Sequence, residues 1–196
     1  MLTKTQKDIL CLLLNNKEKN WSMLSLAKQL KKSYALTYNN IKNLEEKEIV
    51  RKESIAPSQI IKIHEYIPNN ILFEIELERR ERFLKKYSWM KVFLSELVKN
   101  ADHPFFILLL FGSYAKGEEK KQSDIDLLLI TKTKNDNLEK TLSQEYTKGR
   151  KSIIHIDEKD WKEMRRNTKE FNIGNEAERQ HIILYGIELF FQLEQQ

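Results

Sequence analysis

The chain has 196 residues, 40% of them hydrophobic; the length allows one large domain or two small ones, and the composition excludes general disorder. Its single cysteine, Cys11, excludes an internal disulfide, and no segment reaches the ~20 apolar residues needed to cross a bilayer as a helix. The net charge of +5 is unevenly placed: residues 1–66 hold 12 Lys/Arg against 7 Asp/Glu and the remainder holds 22 of each, so the excess positive charge lies in the first third, where it suits an anionic partner.

At the start, Lys4, Lys7 and Asp8 lead straight into an amphipathic segment, which is not a signal-peptide pattern; the expected location is the cytoplasm. Thr3 or Thr5 caps a predicted helix over Gln6–Leu14 with Ile9, Leu10, Leu13 and Leu14 inward, and Cys11 reads as buried packing. Ser22 caps a second helix with core face Leu24, Leu26, Ala27 and Leu30. Ser33 caps a third, with Thr37, Ile41 and Leu44 on one buried face. Ile49–Lys52 and Ile60–Ile63 then alternate like the strands of a hairpin around Pro57-Ser58. This order, helix, helix, helix, two-stranded wing, sets a first domain at 1–66.

Residues 67–104 read as a helical connector. Pro68 starts it; Ile71, Leu72, Ile75, Leu77 and Leu84 recur at helical spacing, followed by the apolar set Trp89, Val92, Phe93, Leu94 and Leu97 on one long helix or two. A second domain, 105–196, opens with the unbroken apolar run Phe105–Phe111, as expected of a strand buried on both faces. Ile125–Ile130 is a second buried strand, Leu138–Tyr146 a helix and Ile153–Ile156 a third strand. Trp161–Asn167 and Glu176–His181 look helical, and Ile182–Tyr185 forms a last strand before Gly186. Helices and strands occur in both domains, so the expected fold class is α+β.

The chemistry concentrates between the first two strands of the second domain. Gly112-Ser113 follows the first strand directly, and Ser123-Asp124-Ile125-Asp126 opens the second. Gly112 lets the backbone approach a phosphate without a Cβ in the way. Ser113 offers a hydroxyl at a helix start, where free N–H groups attract anions. Asp124 and Asp126, two apart on a strand, project from one face. Two carboxylates on one face beside a phosphate cradle suit Mg²⁺ bridging protein and nucleoside triphosphate.

Gly112-Ser113, Ala115, Gly117 and the Ser-Asp-x-Asp at 123–126 resemble the nucleotidyltransferase superfamily of DNA polymerase beta, in particular its minimal nucleotidyltransferases, over roughly 105–160. The resemblance implies a mixed sheet with flanking helices, two divalent ions, and transfer of a nucleoside monophosphate from a triphosphate to an acceptor with release of pyrophosphate. Gly112 and Ser113 would hold phosphates; Asp124 and Asp126 would ligate metal. The family pattern also expects a third carboxylate, flanked by apolar residues, on the strand that here reads Ile153-Ile154-His155-Ile156-Asp157. His155 stands at that place and Asp157 lies two residues on. Three readings stay open: Asp157 substitutes as the third catalytic carboxylate, His155 serves as the base, or the site binds nucleotide without transferring it. Some proteins resembling this domain are antitoxins that adenylylate a partner toxin, which makes a protein acceptor one expectation.

In the first domain, Leu24–Leu30 and the Ile41-x-x-Leu44 pattern running to Val50 resemble the winged helix-turn-helix of prokaryotic transcription regulators, with Glu48 where glycine is usual. The resemblance implies binding of duplex DNA, with Tyr34, Tyr38, Asn39 and Lys42 entering the major groove and Arg51 and Lys52 reaching phosphates from the wing. A docking module, including a homodimer, is the other use of this core. The two functional expectations are an Mg²⁺-dependent nucleotidyltransferase with a DNA-binding N-terminal domain, and a DNA-binding regulator whose second domain only binds nucleotide or mediates assembly. No membrane partner is expected.

Overall fold

The computed structural model describes residues 1–17, 19–55, 58–133, 135–143, 150–166 and 173–195, and forms an α+β fold of two compact units, Met1–Glu78 and Arg79–Gln196.

In the first unit the chain runs α1 (Lys4–Asn15), β1 (Trp21–Ser22), α2 (Met23–Leu30), α3 (Tyr34–Glu46), β2 (Val50–Ile55) and β3 (Ser58–Ile63). Local chemistry starts each helix. Thr3 caps α1 in a reciprocal pair with Gln6, Ser22 accepts from the Ser25 amide, and Ser33 accepts from the Leu36 amide. The strand order β1-β3-β2, all antiparallel, is that of a winged helix. β1 is two residues long and was not expected; it forms because Trp21, 2% exposed, pairs with Ile61 and closes the core. Ile9, Leu10, Cys11, Leu26, Ile41 and Leu44 fill that core. Leu24, expected inside, is 53% exposed, because the capped start of α2 turns it outward while Leu26 and Ala27 face in. Both strands of the wing extend beyond the expected spans, and Pro57 lies outside the described residues.

The end of α3 keeps the shape that usually requires glycine. Glu48 takes φ 56°, and the Ile49 amide reaches back to the Leu44 carbonyl at 2.9 Å. A side chain in this left-handed region costs about 1–2 kcal/mol.

Helix α4 (Asn69–Lys86) begins in the first unit and ends in the second; α5 (Ser88–Asn100) follows after a break at Tyr87. The buried face of α5 is Met90, Phe93, Leu94 and Leu97, the spacing of one helical stripe. Val92 lies off that stripe and is 63% exposed, and Leu77 on α4 is 42% exposed, both contrary to expectation.

The remainder of the second unit is β4 (Phe106–Phe111), α6 (Gly112–Lys116), β5 (Ile125–Thr131), α7 (Asp136–Ser143), β6 (Lys151–Asp157), α8 (Glu158–Arg166), α9 (Ile173–Arg179), β7 (Ile182–Tyr185) and α10 (Ile187–Glu194). The strand order is β6-β5-β4-β7, parallel between β5 and β6 and antiparallel elsewhere, so the sheet is mixed. Every residue of β4 is buried, because it is central and covered on both sides. One face packs Leu108, Leu110, Leu127 and Leu129 against α5 and α7 through Phe93, Leu97, Leu138 and Leu142. Helices α8, α9 and α10 pack on β4, β5 and β6. The expected helix ends at Tyr146 and Asn167 lie outside the described residues. α10 was not foreseen; its short apolar set, Ile187, Phe190 and Leu193, only becomes a core face once Gly186 turns the chain back after β7.

Candidate nucleotide site and nucleic-acid interface

β4 delivers Gly112 and Ser113 at its end, and the antiparallel register sets Phe111 opposite Asp126 on β5. The turn is tight. Gly112 has φ +66°, and a Cβ built there would stand 2.1 Å from Asp126 Oδ2. The glycine is therefore required twice, by its backbone conformation and by the carboxylate beside it. α6 is a single turn of five residues, and its N-cap, Phe111, supplies no side-chain hydrogen bond. The attraction for an anion at Ser113 thus comes from unsatisfied amides, not from a long helix dipole.

The loop from α6 to β5 is pinned at several points. Glu119 Oε1 accepts from the Tyr87 hydroxyl and from Lys86 Nζ at 2.9 Å. Burial pushes the Glu119 carboxyl up, but these hydrogen bonds outweigh it and hold the group below its ordinary value. The Tyr87 ring meets Tyr114 of α6 edge-on at 5.4 Å. The Ser123 hydroxyl accepts from the Lys120 amide at 2.8 Å, and the Ile125 amide donates to Arg150 at 2.8 Å. Asp124, exposed, stands just before β5, and Asp126, half-buried, is the second residue of that strand. Burial pushes the Asp126 carboxyl above the ordinary aspartate range; the negative charges of Glu176 and Asp124 push it the same way, and Lys116 opposes them.

The site therefore carries surplus negative charge beside an open backbone cradle. Among the described residues no three His, Cys, Asp or Glu side chains are grouped to hold an ion by themselves. Mg²⁺ is commonly held by one or two carboxylates plus substrate phosphates and water. Asp124, Asp126 and the Gly112–Ser113 cradle fit that mode of binding.

The expected third carboxylate is a correction. In the parallel register Ser152 lies beside Asp126, and Asp157 lies beside Thr131. Thr131 is five residues along β5 from Asp126, roughly 16 Å at about 3.3 Å per residue. Alternation also puts Ser152, Ile154 and Ile156 on the Asp126 face and His155 and Asp157 on the other. Distance and face both keep Asp157 and His155 from the Asp124–Asp126 site. Each has other work. Asp157 Oδ1 accepts from the Asp160 amide at 2.7 Å and so caps α8. His155 has Nε2 at 2.7 Å from Thr131 Oγ1 and Nδ1 at 3.0 Å from Glu139 Oε1. Together with Lys132 and Asp160 they line a shallow depression of about 290 Å³ at the far end of β5.

The carboxylate that sequence reasoning missed is Glu176 on α9. Its Oε1 is 3.5 Å from Lys116 Nζ, on the turn that carries Gly112 and Ser113. Fifty residues separate it from Asp126, and no local pattern marks it.

In the first unit, Tyr34, Tyr38, Asn39 and Lys42 are all exposed on α3, with the two tyrosine rings stacked at 6.4 Å. Leu36, 44% exposed, adds an apolar side chain that the sequence reading did not single out. The wing cations are committed elsewhere: Arg51 pairs with Glu53 at 2.8 Å and Glu65 at 3.0 Å, and Lys52 pairs with Glu45. Among the described residues no helix is long and apolar enough to cross a membrane.

Comparison with known proteins gives one family match: residues 94–190 match the model of the polymerase beta nucleotidyltransferases. No curated protein matches the chain significantly. Among solved structures, the chain is similar to a point mutant of ZitR from Lactococcus lactis, at 24% identity over 45% of this chain and 59% of that one, with a TM-score of 0.36. It is also similar to MepR, a transcription regulator of the Staphylococcus aureus multidrug efflux pump MepA, at 19% identity over 50% of this chain and 78% of that one, with a TM-score of 0.35. The chain thus spans about three fifths of the ZitR chain's length.

Proposed function

We propose that the second unit, within which residues 94–190 match the polymerase beta nucleotidyltransferases, transfers a nucleoside monophosphate from a triphosphate to an acceptor hydroxyl, and that the first unit binds duplex DNA. The observation that carries the first part is the contact of Gly112 with Asp126: a phosphate cradle without a Cβ, closed on one side by a carboxyl group that stands near the negative charges of Asp124 and Glu176. Gly112 and Ser113 would hold the triphosphate through backbone amides and the serine hydroxyl. Asp124 and Asp126 would hold Mg²⁺, which when bound neutralises phosphate charge and polarises the transferring phosphoryl group. The contacts of Tyr87 with Glu119 and Tyr114 tie the loop after α6 to the turn that carries Gly112 and Ser113, which supports a site formed before substrate arrives.

The DNA-binding part rests on the exposed α3 face of Tyr34, Tyr38, Asn39 and Lys42 and on the positive excess of residues 1–66. A second reading, a DNA-binding regulator whose second unit binds nucleotide without transferring it, is favoured by one specific observation: β6 offers no carboxylate on the Asp126 face.

Calorimetry with Mg²⁺ and each nucleoside triphosphate tests the site. The double variant D124N/D126N is expected to abolish Mg²⁺-dependent binding with the fold intact by circular dichroism. Binding equal to wild type would remove these aspartates from the site. Labelling of an acceptor from α-³²P triphosphate separates the two readings, since a regulator binds and labels nothing.

A further inference from the structure

We propose that Glu176, brought by α9 to the Lys116 end of the Gly-Ser turn, is the carboxylate that takes the proton from the acceptor hydroxyl. The inference rests on the nucleotidyltransferase reading and replaces the base that β6 does not supply. Three observations carry it. The register of β6 on β5 leaves Ser152, Ile154 and Ile156 on the Asp126 face, so no acid or base on that strand can serve. Lys116 Nζ, on the turn that follows Ser113, holds Glu176 Oε1 at 3.5 Å. α9 packs on β4, the strand that ends in Gly112-Ser113, and the Glu176 charge acts on the Asp126 carboxyl, so these two carboxylates are within electrostatic reach of each other.

The chemistry balances without a further reagent. The acceptor oxygen forms a bond to the α-phosphorus, the bond from that phosphorus to the bridging oxygen breaks, and the electron pair leaves with pyrophosphate. The hydroxyl proton passes to a Glu176 oxygen. Both Glu176 and Lys116 are about a third exposed, 30% and 37%, so their pair is a weak surface contact that a triphosphate can draw apart. Lys116 released in this way can meet phosphate while Glu176 turns to the acceptor.

The test uses the full chain as wild type, E176Q, E176D, D157N and H155A. Two quantities are read: calorimetric binding of Mg²⁺ with α,β-methylene-ATP, and transfer of α-³²P label from nucleoside triphosphates onto protein, the chain itself or a protein of a cell lysate. E176Q is expected to bind as wild type does and to lose about 10²–10⁴-fold in labelling, the usual contribution of a general base. E176D should recover part of that loss, since it restores a carboxylate at shorter reach. D157N, in which asparagine still caps α8, and H155A should label as wild type does. Labelling by E176Q at the wild-type rate overturns the inference, as does loss of binding in E176Q, which would make Glu176 a nucleotide-holding group. Wild-type protein that binds but never labels also overturns it and leaves the binding-only reading standing. Wild-type protein that binds no nucleotide brings down the underlying reading itself.

Discussion

Replacing Gly112 by alanine separates two costs that the structure places at one position. The first is backbone strain: at φ +66° an L-residue costs about 1–2 kcal/mol. The second is the contact with Asp126. The new Cβ would lie 2.1 Å from Oδ2, which must retreat by about 1.3 Å to reach ordinary contact at 3.4 Å. Gly117 provides the control. Its φ is +71°, so G117A carries the same strain, but nothing stands within 4 Å of a Cβ there. Because the Asp126 side chain can rotate away, both variants are expected to lose about 1–2 kcal/mol in urea denaturation. Function should divide them. Rotation of Asp126 misplaces the carboxylate proposed to hold Mg²⁺, and disturbing the support of a ligand commonly costs about 10–100-fold in metal affinity, so calorimetric binding of Mg²⁺-ATP should fall by about that factor in G112A. G117A should bind as wild type does. Equal affinities in the two alanine variants would refute the argument, because they share the strain and only G112A sets a Cβ against Asp126 and the phosphate cradle.

Two further expectations follow from the first unit. Glu48 carries the left-handed strain at the end of α3, so E48G should raise stability by about 0.5–1 kcal/mol in urea melts, the strain relieved less the entropy glycine adds to the unfolded chain; a loss of stability would mean that Glu48 makes an offsetting contact. If α3 enters the major groove, K42A should reduce the slope of log K against log salt for duplex DNA by about 0.9, whereas R51A, already paired with Glu53 and Glu65, should change it less. Equal slopes for K42A and wild type would assign this face to docking.

The sequence by itself determined whatever depends on near neighbours in the chain. Thr3, Ser22 and Ser33 start helices because a cap is a bond across two or three residues. The unbroken apolar run of β4 announced a strand covered on both sides. The turn at Gly112 and the strand that carries Asp126 were legible because a tight turn after an apolar run and the run itself are local features. Burial direction was less legible. Val92 and Leu24 are apolar and close to a core face, and only the rotation of each helix on its neighbours turned them outward. The third carboxylate was beyond reach of the sequence. His155 and Asp157 stand near the expected place along the chain, yet pairing β6 with β5 in the observed register moves them to the other face and the far end of the sheet. A shift of one residue in a strand exchanges its faces, and no residue within β6 fixes its alignment with β5. Glu176 comes within electrostatic reach of Asp126 only because α9 packs on β4 beside β5, an arrangement of residues fifty apart that the tertiary fold alone decides.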